Sequence, residues 1–376
     1  MLGALFGSDN DRAVSVPWTT NDDGWGSWGG NDSVGTWAGA HVDERTATQL
    51  LAVYGSASFI TDEISTLPVN IEGIQRPSWV DQPSDGVDRI AWLGQIVWSL
   101  LLSGNAYVHV IRNARGFVIA ADVLYPDNVA VRREGGRKVF TVSGQPAAGR
   151  EMVHIAGRMR PGDVCGMSPV EWCRQTIGLG LAATKYGAEF FDGEGNMPGV
   201  IELPQDAQPD TMRDLAAQWQ RKRKQSGRGM PGVLKGGAQW KPTGVNHEQA
   251  QFLASRKWNA AEIAGQIFLL DPSDLGIPVE GSSLTYANLE QRNTRRLQVA
   301  LMPWMRRIET ALTPLVTAGE YKFDVDSRLR GNTRESYETL GVAIGNGLLT
   351  VNEGREVIGR SPIEPTETAI DDDNFF

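Results

Sequence analysis

Three long helical patterns between Ser168 and Pro314 constrain the fold of this 376-residue chain more than any other feature. The first covers residues 168–191 and opens with Ser168, a favourable N-cap, followed by Pro169 at a position where a helix tolerates proline. Its middle, residues 177–183, is small and apolar on nearly every side, which is typical of a helix surrounded by neighbours. The pattern therefore predicts one part of a larger assembly.

The other two helical patterns differ in their apolar spacing. The second begins at Asn246, where Gln249 completes a predicted capping box. The third runs from residue 286 to about residue 316 and places apolar side chains three, four or eight positions apart along one stripe. Pro303 lies inside this stripe, and proline removes a backbone donor and clashes with the preceding turn. We therefore predict a kink or a break of the third helix at Pro303.

Shorter elements precede, interrupt and follow these helices. Helical patterns at 46–67 and 90–103 are followed by five short segments with strand character joined by turn residues, as in an antiparallel meander. An insert of strands and one amphipathic helix separates the first two long helices. The predicted fold class is α+β. The predicted strands outside the insert are 107–112, 118–124, 129–133, 138–142, 152–155 and 320–325, and the predicted helices of the tail are 333–345 and 350–358.

The charge balance and composition limit the possible functions. The chain has a net charge of -9 and a pI near 5.1, whereas proteins that coat nucleic acid neutralise phosphates with Lys and Arg. Any contact with DNA should therefore be local or transient.

The sequence shows no membrane-spanning or secretory segment. No run of about 18 apolar residues is present, and the apolar stretch at the N-terminus is too short and carries too little charge for a signal peptide. With two cysteines, Cys165 and Cys173, that fit no metal or disulfide pattern, this predicts a soluble protein made in a reducing cytoplasm.

The matches to catalytic and cofactor-binding motifs lie on the wrong kinds of secondary structure or lack the required spacing. Residues 178–183 match the loose dinucleotide-binding pattern but lie inside a predicted helix, whereas that pattern must join a strand to a helix. Residues 227–232 match it in letters but follow a helix and precede a strand. The four histidines are scattered singly, and acids that could imitate a metal site near His154, such as Asp163, have no ligand-like spacing. The sequence predicts no enzyme, no metal site and no cofactor.

Several short sequence phrases follow one another in a characteristic order along the chain. They lie at residues 101–107, 124–129, 152–155, 166–170, 190–200, 250–253, 288–291, 301–309 and 349–353. Their order, over roughly residues 45–360, resembles the portal (head-to-tail connector) family of tailed bacteriophages, in the siphophage type with a lambdoid-like capsid.

The resemblance implies a ring, usually of twelve subunits, at one vertex of a capsid. Such a ring forms a channel for packaging and ejection of double-stranded DNA, and it docks the terminase large subunit and later a head-tail adaptor. The major capsid protein and scaffold are further expected partners, no membrane is involved, and the location is the virion after assembly in the host cytoplasm. The implied parts are a flexible N-terminal arm at 1–44, a wing at 45–165 and 286–330 that includes the long kinked helix, a two-helix stem at 166–196 and 245–267, a small α/β clip at 197–244, a tunnel loop at 268–285, and a short helical crown with an acidic tail at 331–376.

Two groups of residues carry the predicted contacts. In the tunnel loop, acids at a constriction would repel the DNA backbone and leave weak contacts through serines, so that DNA can slide. In the clip, a basic cluster would dock an acidic partner or phosphates, although charge at a helix end is also typical of a solvated cap. The loop residues are Asp271, Asp274, Glu280, Ser282 and Ser283, and the clip residues are Arg221, Lys222, Arg223, Lys224 and Arg228.

Two alternative functions come from other classes. A metal-dependent nuclease or phosphatase would need two or three acids that converge on a metal ion. A head-tail adaptor or another structural virion protein would share the particle but would lack two stem helices around an insert.

Overall fold

A computed structural model describes residues 35–71, 76–191, 199–202, 213, 239–242, 249–277, 286–317, 319–325, 333–358 and 360–363. The chain forms two compact units. The first comprises Met1–Thr66 and Ile71–Tyr321, and the second comprises Leu67–Asn70 and Lys322–Phe376.

Two packed helices form the centre of the first unit. The helix predicted at 46–67 is divided, because Leu50 is extended and separates a single turn from the longer helix. The longer helix packs against the one predicted at 90–103 through apolar residues three or four positions apart, and each fully buried Ile or Leu contributes roughly 1.5–3 kcal/mol. These helices and the short one between them are α1 (Glu44–Ala47), α2 (Leu51–Ser65), α3 (Ser78–Asp81) and α4 (Arg89–Leu102).

Strands beside these helices form two three-stranded antiparallel sheets rather than the single meander that the sequence predicts. They are β2 (Asn105–Arg112), β3 (Val118–Leu124), β4 (Val129–Glu134), β5 (Arg137–Val142), β6 (Gln145–Ala147) and β7 (Met152–Ala156). One sheet has the order β3-β2-β7. The three strands that lie between β3 and β7 in the sequence form the other sheet, and β7 returns to pair with the open edge of β2. The other sheet, β4-β5-β6, is a meander. A common core joins the two sheets through Tyr107, Val129, Val131, Phe140, Met152 and Val164.

Both helices predicted as the stem are present, each with one irregularity. The first breaks after one turn at Cys173, and the second ends in a π-helical segment, Ile263–Ile267. Asn246, the predicted cap of the second helix, lies outside the described residues. The described part of the predicted clip is an antiparallel strand pair. These elements are α5 (Pro169–Trp172), α6 (Arg174–Phe191), β8 (Gly199–Glu202), β9 (Gln239–Pro242) and α7 (Gln249–Glu262).

The small apolar middle of α6 has close neighbours within the same chain. A Cβ at Gly178 would overlap the side chain of Thr36, and a Cβ at Gly180 would overlap the side chain of Asn259 on α7. The N–H of Trp37 donates to the Oε1 of Gln175, at 2.9 Å. The described end of the predicted N-terminal arm therefore packs on α6, while residues 1–34 lie outside the described part of the chain.

The third long helical pattern is divided into segments of different helix type. α8 (Tyr286–Arg295) continues into a π-helical segment at Arg296–Leu301, and α9 (Met302–Leu312) follows. Pro303 lies in the first turn of α9. Backbone N–H groups in the first turn of a helix have no acceptor within that helix, so proline loses no hydrogen bond at this position. The change of helix type therefore comes immediately before Pro303.

A two-stranded sheet and two short helices make up the rest of the described chain. β1 (Val69–Ile71) pairs with β10 (Tyr321–Phe323), and a strand of three residues is too short to show a sequence period. In the second unit α10 (Thr333–Gly345) precedes α11 (Val351–Val357). A capping box opens α11, because Thr350 N–H donates to Glu353 Oε2 at 2.7 Å and Glu353 N–H donates to Thr350 Oγ1 at 3.2 Å.

Candidate functional site: the Asn105 joint and the base of the predicted tunnel loop

Phrases of the sequence that carry the family resemblance meet in space where α5 begins. The buried amide of Asn105 makes the central contacts. Its Nδ2 donates to the carbonyl oxygens of Ser103 (3.0 Å) and Gly166 (2.9 Å), and its Oδ1 accepts from the N–H of Gly166 (2.6 Å). We call residues 103–105 together with residues 166–168 the joint.

Ser168 and Gly104 complete the joint. The Oγ of Ser168 accepts from the N–H of Glu171 (3.1 Å) as the helix N-cap, and it donates to the carbonyl oxygen of Leu102 at the end of α4 (2.7 Å). Gly104 has a φ of +74°, and a Cβ there would also overlap the carbonyl oxygen of Met167. Both facts require glycine at this position. The joint therefore fixes the point at which α5 and α6 leave the sheets.

His154 on β7 is the titratable residue that touches the joint. In the tautomer that serves both partners, its Nε2 donates to Asn105 Oδ1 and its Nδ1 accepts from Lys138 Nζ, each at 2.9 Å. Its ring stacks on Tyr107, with centroids 4.7 Å apart. Burial and then the positive charge of Lys138 lower the pKa of His154 to about 3. A protonated ring would lose its acceptor for Lys138 and would face a second cation.

The predicted tunnel loop starts with a tight turn against α7. Leu269 has a φ of +59°, which is uncommon for a residue with a side chain, and the N–H of Leu270 donates back to the carbonyl oxygen of Ala264 at 2.9 Å. Phe268 and Leu270 are buried. A 3₁₀ turn at Pro272–Leu275 follows. The first part of the loop is therefore anchored to the body of the first unit.

Two aspartates of this turn are held by arginines of the long helix. Asp271 accepts from the N–H (2.9 Å) and the Oγ (2.7 Å) of Ser273, and its Oδ2 lies 3.8 Å from Arg292 Nε. Arg292 Nη1 also donates to Ser273 Oγ at 3.1 Å. Asp274 Oδ1 lies 3.5 Å from Arg296 Nη1. We call these five residues the latch.

The latch gives Asp271 and Asp274 an environment different from the one expected from the sequence. We expected free acids that repel DNA, but each acid lies beside an arginine because the turn folds back onto the long helix. Burial raises the pKa of Asp271, yet the hydrogen bonds from Ser273 and the charge of Arg292 outweigh it and the pKa is lowered. Burial dominates at Asp274, and its pKa is raised.

The remaining predicted contact residues lie outside the described part of the chain. They are Glu280, Ser282 and Ser283 of the tunnel loop and Arg221, Lys222, Arg223, Lys224 and Arg228 of the clip. Among the residues that the structure describes, no three His, Cys, Asp or Glu side chains gather in a group that could hold a metal ion. None of the described helices is both long and apolar enough to cross a membrane.

Sequence reasoning missed the two arginines of the latch. Asp271 and Asp274 are three residues apart in a turn, and Arg292 and Arg296 are four residues apart on a helix that begins soon afterwards. Acids and bases at matched spacing on two successive elements form a pairing signal, because side chains three or four positions apart share one face.

Comparison with known proteins identifies the family. The model of the family described as "Phage portal protein" matches residues 51–359, which include the sheets, the joint, both helices predicted as the stem and the latch. The chain belongs to the phage portal protein family. Among portal relatives, the "Probable portal protein" of Streptomyces phage phiC31 is 31% identical over 363 residues, covering 87% of this chain and 78% of the relative. The "Portal protein" of Enterobacteria phage HK97 is 26% identical over 289 residues, covering 72% of this chain and 66% of the relative.

Solved portal structures have the same fold. The chain is similar to an HK97 family phage portal protein from Corynebacterium diphtheriae, with a TM-score of 0.62 and 15% identity over 80% of this chain and 99% of that chain. It is also similar to a chain in the virion of a native gene transfer agent particle, with a TM-score of 0.59 and 23% identity over 85% of this chain and 92% of that chain. The predicted α+β portal fold is confirmed.

Family membership also decides the general function. The chain is a portal protein, and portal proteins are structural proteins in general. The family match supports neither the nuclease or phosphatase interpretation nor the adaptor interpretation. That this particular chain has no enzymatic activity stays a prediction.

The first prediction compares two glycines with positive φ. Gly104 and Gly116 have φ values of +74° and +84°, but only a Cβ at Gly104 meets other atoms. The left-handed conformation costs a non-glycine residue roughly 1–2 kcal/mol. We expect Gly116→Ala to lower the free energy of unfolding by about that amount and Gly104→Ala to lower it by at least about 3 kcal/mol, measured by urea denaturation of the full chain. Equal decreases would show that the joint is not tightly packed.

The second prediction concerns acid. Because the pKa of His154 falls from its ordinary 6.5 to about 3 on folding, the unfolded chain binds more protons between these values. The stabilisation is complete above pH 6.5 and is lost as the pH falls, by about 2 kcal/mol between pH 7 and pH 5. His154→Gln keeps a donor and an acceptor but does not titrate. We expect its stability to fall less than that of the parent by this difference, and parallel pH profiles would contradict the assignment.

The third prediction tests the latch by charge exchange. Asp274→Arg and Arg296→Asp should each lower the free energy of unfolding, and the double variant should recover part of the decrease, with a coupling of about 0.5–3 kcal/mol. The matched control is the exposed pair Arg132 and Glu134, 3.4 Å apart, whose coupling should be about 0–1 kcal/mol. Urea denaturation of all six variants gives both cycles, and similar couplings in the two cycles would remove the special role of the latch.

Proposed function

We propose that this chain forms a closed homo-oligomeric ring of twelve subunits at one vertex of a capsid, and that double-stranded DNA enters and leaves through the ring. The observation that carries this proposal is the extent of the family match. Residues 51–359 span the elements proposed as wing, stem, clip, tunnel loop and the first part of the crown, so the match extends over most of this chain and not over one isolated domain.

The similar solved structures support the ring and its location. One similar chain belongs to the neck of a native gene transfer agent particle that was computed with C12 symmetry, with a TM-score of 0.58 and 22% identity. Another belongs to the virion of such a particle. These descriptions apply to those proteins. For this chain they favour a cyclic assembly within a virion. Assembly beforehand in the host cytoplasm is a further part of the proposal.

Exposed apolar side chains on the proposed stem helices also favour assembly. Leu179 and Tyr186 on α6 are each 57% exposed in the single chain, and Trp258 on α7 is 75% exposed. Leu179 and Tyr186 are seven residues apart, so they lie on one stripe of the helix. Contacts with neighbouring copies in a ring would cover this apolar surface, as closed cyclic symmetry requires of each subunit.

The parts of the ring follow the divisions expected from the sequence. The wing at 45–165 and 286–330 would face the major capsid protein and scaffold, and the stem helices at 166–196 and 245–267 would surround the channel. Residues 268–285 would form the tunnel loop, with Glu280, Ser282 and Ser283 toward DNA. Residues 331–376 would form the crown and acidic tail.

The basic cluster of the clip is proposed as a docking surface. Arg221, Lys222, Arg223, Lys224 and Arg228 concentrate positive charge in a chain whose net charge is -9, which suits an acidic surface of the terminase large subunit or of a head-tail adaptor. A solvated helix end is the competing interpretation of this cluster.

The fourth prediction tests assembly and docking together. Mass photometry and negative-stain images of the purified full chain should show rings with a central hole, of several hundred kilodaltons in mass. Reversal of all five clip charges to Glu should leave the rings intact, because surface charges steer partners more than they hold a fold. Particles that carry this variant should contain little DNA or lack tails.

Different outcomes affect different parts of the proposal. A monodisperse monomer at micromolar concentration would contradict the ring and with it the channel. Intact rings with normal yields of DNA-filled, tailed particles would leave the ring standing and return the clip cluster to a solvated helix end.

A further inference from the structure

A polar face of the long helix follows directly after the proposed tunnel loop. It consists of Gln291, Thr294, Arg295, Gln298 and Val299, which line a surface hollow of about 310 Å³. Their spacing of three, one, three and one places them on one side of the helix. On the other side, Leu297, Ala300 and Leu301 are buried. We call the five residues around the hollow the polar face.

The charge of the polar face differs from that of the latch beside it. Arg292 and Arg296 point to the acids of the latch, and the guanidinium of Arg296 also lies over the ring of Phe59, 5.4 Å from its centroid. Arg295 is exposed and forms no salt bridge within the described residues, although its positive charge contributes to the lowered pKa of Asp271. No acid occurs among residues 291–299. The polar face therefore presents one positive charge among uncharged side chains, of which Gln291, Thr294 and Gln298 can form hydrogen bonds and Val299 cannot.

This combination fits the sugar-phosphate backbone of double-stranded DNA. Arg, Gln and Thr are among the side chains that donate to phosphate oxygens, and contacts of this kind carry no sequence information. Each neutralised phosphate adds a salt-dependent increment to affinity, so a single arginine in each subunit gives a weak attraction that still allows movement. Amide and hydroxyl groups can exchange one phosphate oxygen for the next as the DNA advances.

We infer that the polar face, and not the acids of the latch, is a DNA-contacting surface of the channel. The inference rests on the proposed function. The latch explains the division of roles: it joins the base of the proposed tunnel loop to α8 and uses the charges of Asp271 and Asp274 for that purpose. The neighbouring polar face has an exposed arginine, Arg295, which can meet phosphate although its charge also acts on Asp271. The occupant is the DNA backbone, irrespective of base sequence.

Photo-crosslinking in DNA-filled particles tests the inference. A benzophenone amino acid replaces Thr294 or Gln298 in the polar face, Ser282 in the proposed tunnel loop, or Arg137 on the exposed hairpin between β4 and β5 as a control. We expect ultraviolet light to join DNA to the chain at positions 294, 298 and 282 and not at 137. A gel that separates protein-DNA adducts from protein-protein adducts gives the result.

Each pattern of adducts has one meaning. DNA adducts at 282 but not at 294 or 298 overturn this inference and leave the channel standing. Protein-protein adducts at 294 and 298 show that the face binds a neighbouring copy, which also overturns it. No DNA adduct at any of the three positions contradicts the proposed function itself.

A smaller change covers the case in which the bulky probe disturbs assembly. Arg295→Gln removes one charge from the polar face, and Arg137→Gln removes one from the control hairpin. Purified rings of each variant are titrated with linear double-stranded DNA at several salt concentrations. We expect Arg295→Gln to weaken binding at low salt and to reduce the slope of log K against log salt, by up to about 0.9 for each phosphate that is no longer neutralised, while Arg137→Gln matches the parent. Equal slopes for the two variants overturn the inference.

Discussion

The buried amide of Asn105 is the interaction on which the layout of the first unit depends. It forms hydrogen bonds with the backbone of Ser103, between α4 and β2, and with the backbone of Gly166, in the segment that leads into α5. It also accepts from His154 on β7. A buried polar group that loses its partner costs about 1–3 kcal/mol. Because one side chain satisfies several such groups at once, α4, the β3-β2-β7 sheet and the start of α5 are held in one arrangement, and a shift of any of them would leave polar atoms unpaired.

The latch extends the same principle to the base of the tunnel loop with charged groups. A loop that meets a polyanion would be expected to present its charges outward, yet Asp271 and Asp274 turn toward Arg292 and Arg296. These pairs are partly shielded from water, so salt screens them less than it screens fully exposed pairs. The charges closest to the body of the chain therefore hold the turn in position, and our proposal assigns contact with DNA to the neighbouring polar face.

The sequence predicted the order and type of most elements but not how they interact. Periodicity located α2, α4 and most of the strands but missed β1 and β6, which have three residues each. The order of short phrases indicated the family. Periodicity could not reveal that β7 returns to β2, because pairing between distant strands leaves no local signal. The role of Asn105 was also invisible, since an asparagine after a glycine reads as an ordinary turn. Glu280, Ser282, Ser283 and the clip cluster keep the status of proposals.

The two π-helical segments on either side of the predicted tunnel loop affect how the length of that loop can change in evolution. A π turn is an α-helix that has taken up one extra residue without losing its direction. One such segment, Ile263–Ile267, ends just before the tunnel loop, and the other, Arg296–Leu301, lies shortly after it. Insertions and deletions on either side can thus be absorbed locally, while the tight turn at Leu269 and Leu270 keeps the start of the loop in place. The predicted tunnel loop can therefore differ in length between related chains without displacing the helices on either side of it.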